Sequence, residues 1–68
     1  MSKTYIELET DEIVKVTEEA VLVAMDGVKD WIPKSQIKNG IDLNYNAEGE
    51  VGVVLEIQEW WAIQEELI

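Results

Sequence analysis

The chain has no cysteine, no histidine and no phenylalanine, and its five basic residues are all lysines. Without cysteine, disulfide staples and thiolate zinc sites are both excluded. Without histidine there is no imidazole ligand and no Ser-His or Cys-His nucleophile pair. The absence of arginine removes the planar fork that grips phosphate and carboxylate groups bidentately. Long hydrophobic runs are missing too: no stretch approaches the roughly 20 apolar residues of a membrane span. Met1-Ser2-Lys3-Thr4 leads into polar, alternating sequence instead of the apolar run of a signal peptide. A cytoplasmic protein with no membrane partner is the expectation.

Against these absences stand fifteen carboxylates, a formal charge of −10 and a hydrophobic content of 47% over 68 residues. That much apolar sequence separates the chain from disordered polyanions and implies one small globular domain, residues 1–68. A domain of this size buries only about 60% of the surface its unfolded chain exposes. With disulfides and thiolate zinc excluded, good packing or self-association, such as a homodimer, is left to supply extra stability. The lysines all lie by Lys38, so residues 39–68 carry seven acids and no base. Such a balance repels a polyanion and argues against direct binding of duplex nucleic acid. So short a chain offers little room for an enclosed cleft, so no catalytic site, cofactor or metal is expected.

Alternation places the strands. Tyr5-Ile6-Glu7-Leu8-Glu9 has period 2, with Ile6 and Leu8 on one face; Asp11-Glu12 interrupts it, and Ile13-Val14-Lys15-Val16 resumes with Val14 and Val16 expected inward. Ala20 to Ile32 reads as a hairpin about Asp26-Gly27, because a type I′ turn needs positive φ at both central positions. A two-residue turn sets Leu22 opposite Trp31 and Val23 opposite Asp30, and Leu22 and Trp31 are expected on the better buried face. Pro33 ends the strand. Residues 33–37 suggest one helical or 3₁₀ turn with Ile37 tucked into the core, and Asn39-Gly40 closes it. Residues 41–50 read as a polar loop. Val51 to Ile57 is a further strand with Val51, Val53, Leu55 and Ile57 on one face and a bulge permitted at Gly52. From Glu59 the period changes to helical, with Trp60, Ile63 and Leu67 forming the expected core stripe and Trp61 aligned with Glu65 and Ile68. The fold class expected is mainly β: a small SH3-like or OB-like bent barrel of four to five strands with a short C-terminal α-helix.

Ala20-Val-Leu-Val, Asp26-Gly27, Trp31-Ile-Pro-Lys-Ser-Gln-Ile37 and Glu59-Trp60 together resemble a group of small proteins encoded by bacteriophages and prophages. Their marks are a Trp-Ile-Pro-Lys-Ser-Gln-Ile heptapeptide and a Glu-Trp tail helix, and the likeness runs from about residue 14 to residue 68. The group carries no established biochemical activity. This chain departs from it at the tail, where Trp61 stands in place of leucine and Glu65-Glu66 in place of a lysine-containing segment.

Four features invite a functional reading, each with a structural alternative. In the heptapeptide, Lys34 and Gln36 as ligand contacts compete with a role as turn and core signature, which is preferred because proline and small polar residues usually serve turns. Asp42, Asn44 and Asn46 have the spacing of the first half of a calcium loop, but Ala47 and Val53 stand where glycine and glutamate belong, so Asx-turn chemistry is favoured. In the tail, adjacent helical residues point about 100° apart, so only one of Trp60 and Trp61 joins the core stripe. Trp61 is then the exposed anchor, a residue type enriched at binding hot spots. The acids around it, Glu56, Glu59, Glu65 and Glu66, complete a candidate partner-binding face, against the alternative of a solubilising surface. The expected function is a non-catalytic phage or prophage accessory protein. Its acidic, tryptophan-bearing face binds and inhibits a host defence or nucleic-acid-processing protein, as a DNA mimic would. Rival expectations are a single-stranded nucleic-acid or nucleotide binder using Lys15, Lys29, Lys34 and Lys38 with aromatic stacking, and a purely structural homo-oligomer.

Overall fold

Thr10 and Asp11 form the corner on which the fold turns. In the computed structural model, which describes residues 4–66, β1 (Tyr5–Glu9) and β2 (Glu12–Val16) are two arms of one bent strand. Thr10 is only 4% exposed, yet its N–H and Oγ1 both donate to the Val53 carbonyl, at 2.9 and 2.8 Å. Burying an unpaired hydroxyl at such a bend would cost a few kcal/mol, roughly 1–3. Beyond the corner, Asp11 N–H reaches the Ala24 carbonyl at 2.8 Å, and Gly52 N–H donates to the Asp11 carbonyl at 3.0 Å.

The strands continue with β3 (Ala20–Met25), β4 (Val28–Pro33) and β5 (Val54–Gln58), followed by the helix α1 (Glu59–Gln64). Single 3₁₀ turns at Lys34–Gln36, Gly40–Asp42 and Tyr45–Ala47 lie between β4 and β5. β1 pairs antiparallel with β5, from Tyr5 opposite Gln58 to Glu9 opposite Val54, and a second sheet has the order β2-β3-β4. The protein is therefore mainly β with one short C-terminal helix, as expected, but its bent sheets do not close into a barrel. Closure fails because β1 pairs only with β5 and β4 only with β3 among the described residues.

Between the sheets sit Leu8, Ile13, Val16, Val21, Val23, Ile32, Ile37, Leu55 and Ile57, with Ala47 and Ala62 closing the ends. Asp26 and Gly27 have φ of 50° and 80°, and the expected register holds: Leu22 faces Trp31 and Val23 faces Asp30. The expected burial is reversed. Val21, Val23 and Ile32 point inward, fully buried, whereas Trp31 is 48% exposed. Both rows of the hairpin are apolar, and contact with Ile13 and Ile57 decides between them.

β2 differs similarly. A register shift between Ile13 and Lys15 makes Val14 the extra residue of a bulge, so Ile13 replaces it in the core beside Val16. The last strand is shorter than its alternation suggests. Gly52 takes φ 64°, which turns Val51 out to solvent at 74% exposure and leaves Val53, Leu55 and Ile57 facing in. The 41–50 segment is a pair of 3₁₀ turns, and the Asn44 side chain accepts the Asn46 N–H at 2.8 Å, an Asx turn. No described helix is long and apolar enough to cross a membrane.

Candidate partner-binding surface

Alternation along the β1–β5 ribbon fixes its outer face. With Leu8, Leu55 and Ile57 inward, the other row presents Tyr5, Glu7 and Glu9 from β1 and Val54, Glu56 and Gln58 from β5. Glu7 lies directly opposite Glu56. Thr10 N–H and Glu59 N–H close hydrogen-bonded pairs at either end of the ribbon, which makes the Glu7–Glu56 pair one of the close, non-hydrogen-bonded kind. Like charges at such a position destabilise a sheet by a few tenths of a kcal/mol to about 1. Lys38 offsets part of this. Its N–H donates to the Glu56 carbonyl at 2.8 Å, its Nζ lies 3.4 Å from the Glu56 carboxylate, and the ammonium stands 5.9 Å from the Tyr5 ring centre. The ion pair is about half exposed, so its contribution is small.

The chain passes from β5 into α1 without a break, and Glu59 N–H ties the junction to the Thr4 carbonyl at 2.9 Å. Here the roles expected of the two tryptophans are exchanged. Trp61 is half-buried against the core beside the fully buried Ala62, whereas Trp60 and Ile63 are 54% and 57% exposed. The expected stripe of Trp60, Ile63 and Leu67 is thus the outward face of the helix as far as Ile63; Leu67 and Ile68 lie outside the described residues. The reason is the strand-to-helix junction. Ile57 is inward, so the helical turn that follows brings residues 61 and 62, not 60 and 63, over the open end of the core. The Trp60 indole Nε1 donates to Gln58 Oε1 at 2.9 Å, which fixes the ring alongside the outer face of the ribbon.

Of the candidate residues, Glu56 stands on that face beside Glu7, and Glu59 opens α1 half-buried. Glu65 and Glu66 follow the helix, exposed, about 9 Å further along its axis. Glu7, Glu9 and Trp60 join Glu56, although they are absent from the set read off the tail. Glu7, Glu9, Asp11 and Glu12, close in sequence, divide at the corner: Asp11 Oδ2 accepts the Asp26 N–H at 2.9 Å, and Glu12 lies on the other sheet opposite Ala24.

The lysines do not form one track. Lys34 N–H and Nζ donate to the Glu19 and Leu43 carbonyls, at 2.8 and 2.7 Å, which ties the heptapeptide turn to its neighbours. Lys38 is held at Glu56. Lys15 and Lys29 remain on the outer face of the β2–β3–β4 sheet, in the rows that also carry Leu22 and Trp31. Glu18, Glu19, Pro33, Lys34, Ser35 and Ile41 line an open groove of about 520 Å³ beside the turn. Comparison of the chain with protein-family models, curated proteins and solved structures found no match.

Proposed function

We propose that the chain is a non-catalytic acidic accessory protein that binds a protein partner with a basic surface. The surface in question is the outer face of the β1–β5 ribbon with Trp60 at its end. One observation carries the reading: an exposed indole, pinned by Gln58, borders a strand pair in which Glu7 opposes Glu56. A like-charge cross-strand pair costs stability, and chains depart from locally favourable choices mainly where function demands it. Carboxylates around an aromatic anchor give electrostatic steering at the rim and a desolvated contact at the centre. Lysine and arginine surfaces that hold nucleic acid fit such a face. The resemblance to phage and prophage proteins therefore favours a host defence or nucleic-acid-processing enzyme as target, met and inhibited in the host cytoplasm.

The test is a pull-down from bacterial lysate with the wild type, Trp60→Ala and Glu7→Lys/Glu56→Lys proteins. Capture of a basic protein by the wild type, lost in both variants, supports the proposal; capture unchanged in both would sink it. A second reading, binding of single-stranded nucleic acid, draws on Trp31 sharing a sheet face with Lys15 and Lys29. It requires a labelled oligonucleotide to shift at low salt and the shift to vanish in Trp31→Ala.

A further inference from the structure

Two strand edges carry no backbone partner among the described residues, and they differ in charge. Along β1, the bonds from Thr10 and to Thr4 show that even-numbered residues face β5. The N–H and C=O groups of Tyr5, Glu7 and Glu9 point the opposite way. Along β4, the two-residue turn makes Met25–Val28 the closing hydrogen-bonded pair, so Val28, Asp30 and Ile32 face β3. The N–H and C=O groups of Lys29 and Trp31 therefore point outward. Other edges of the two sheets are covered. Glu50, Gly49 and the Glu48 carboxylate line β2, and Ile37 and Lys38 line β5.

An open edge is a template for another strand. Each of these two discourages a copy of itself. β1 against β1 sets Glu7 on Glu7 or Glu7 on Glu9, and the register that avoids this sets each Glu7 on Tyr5, which offers no opposite charge. β4 against β4 sets Lys29 on Lys29, or Asp30 on Asp30, or spends a ladder position on Pro33, which has no N–H. The unlike combination meets neither obstacle. With β1 of one copy antiparallel to β4 of the next, Glu7 stands opposite Lys29, Tyr5 opposite Trp31 and Leu8 opposite Val28, with Ile6 opposite Asp30 as the one unfavourable neighbour. The outward groups of Glu7 and Lys29, and of Tyr5 and Trp31, then exchange both hydrogen bonds of each pair. An opposite-charge pair and an aromatic pair are among the favourable cross-strand neighbours.

We propose that the protein self-associates head to tail, β1 of one copy docking on β4 of another. Such a contact is heterologous, so it propagates into a ring or an open chain. It uses strand edges and shares only the Tyr5 and Glu7 side chains with the partner-binding face, so self-association is read by mass on the isolated protein, independently of any captured partner. Proline at an outward-facing N–H blocks an edge without removing a bond inside either sheet. The experiment is sedimentation equilibrium of the wild type, Glu7→Pro and Lys29→Pro, each checked for folding by circular dichroism. The wild type is expected to rise above its 7.8 kDa monomer mass with concentration. Each variant alone should stay monomeric, and an equimolar mixture should stop at twice the monomer mass, because one open β4 meets one open β1. Should a proline variant not fold, Lys29→Glu must lose assembly and Lys29→Glu/Glu7→Lys must regain it. The proposal is overturned by a wild type that stays monomeric into the millimolar range (a Kd weaker than about 1 mM, ~4 kcal/mol). It is equally overturned by a proline variant that still assembles alone, by a mixture that stays monomeric, or by a Lys29→Glu protein that assembles like the wild type.

Discussion

Gly40 sits where no other residue fits. It is buried between 3₁₀ turns, and a Cβ there would run into the Lys34 carbonyl oxygen and crowd the Ile37 side chain. The backbone on both sides is fixed by the bonds from Ile37 and to Gly40, so relief requires moving the turn that plugs the core. Gly40→Ala should destabilise by about 1–3 kcal/mol, the range for overpacking a filled site, read as a lower urea midpoint. The tryptophan pair separates two roles in the same way. Trp61→Ala should cost about 2–3 kcal/mol, below the ~3–5 of a fully buried ring, and Trp60→Ala less than about 1. Thermal melts of the two variants check this ordering; equal losses would mean that both rings carry the core. The tail sequence shows that only one tryptophan can be buried. Which one depends on how β5 hands over to α1, a tertiary property that helical periodicity does not contain.

The β1–β5 ribbon combines a stabilising inner row with a destabilising outer pair. Leu8, Leu55 and Ile57 are buried beneath it, while Glu7 and Glu56 oppose each other above, with Lys38 on one of them. Glu7→Gln removes the repulsion without touching the core and should stabilise the fold by up to about 1 kcal/mol. The same change should weaken binding of a basic partner, so stability and binding move in opposite directions. A melt and a pull-down on one protein preparation check both halves. The Asp26-Gly27 hairpin was legible because its turn is local and only a few backbone conformations suit it. Its buried face was not, since Val21, Leu22, Val23, Trp31 and Ile32 offer two apolar rows. The Val14 bulge and the pairing of β1 with β5 were hidden for a related reason: both follow from contacts between residues distant in sequence. Glu7 and Glu9 thus lie far from Glu56 in sequence, although the fold makes them neighbours.

Over the whole molecule, the excess of acid resolves into faces of different character. The ribbon presents Glu7, Glu9 and Glu56 with Trp60 at the margin, whereas the other sheet presents Lys15, Lys29 and Trp31, with Glu12 in the row of Lys29. Net charge alone raises solubility and lowers non-specific contact with polyanions. It does not by itself explain an indole held at the edge of the acidic face. At low ionic strength the ribbon's carboxylates should speed encounter with a basic partner, and at 0.5 M salt that advantage should largely disappear, since screening then acts within about 4–5 Å. The most direct measurement is the lysate pull-down at both salt concentrations, with wild type, Trp60→Ala and Glu7→Lys/Glu56→Lys compared side by side. A basic protein retained by the wild type at low salt, weakened at high salt and lost in both variants is the predicted result. Retention that is indifferent to both variants and to salt would contradict the acidic, Trp60-bearing face as the binding surface.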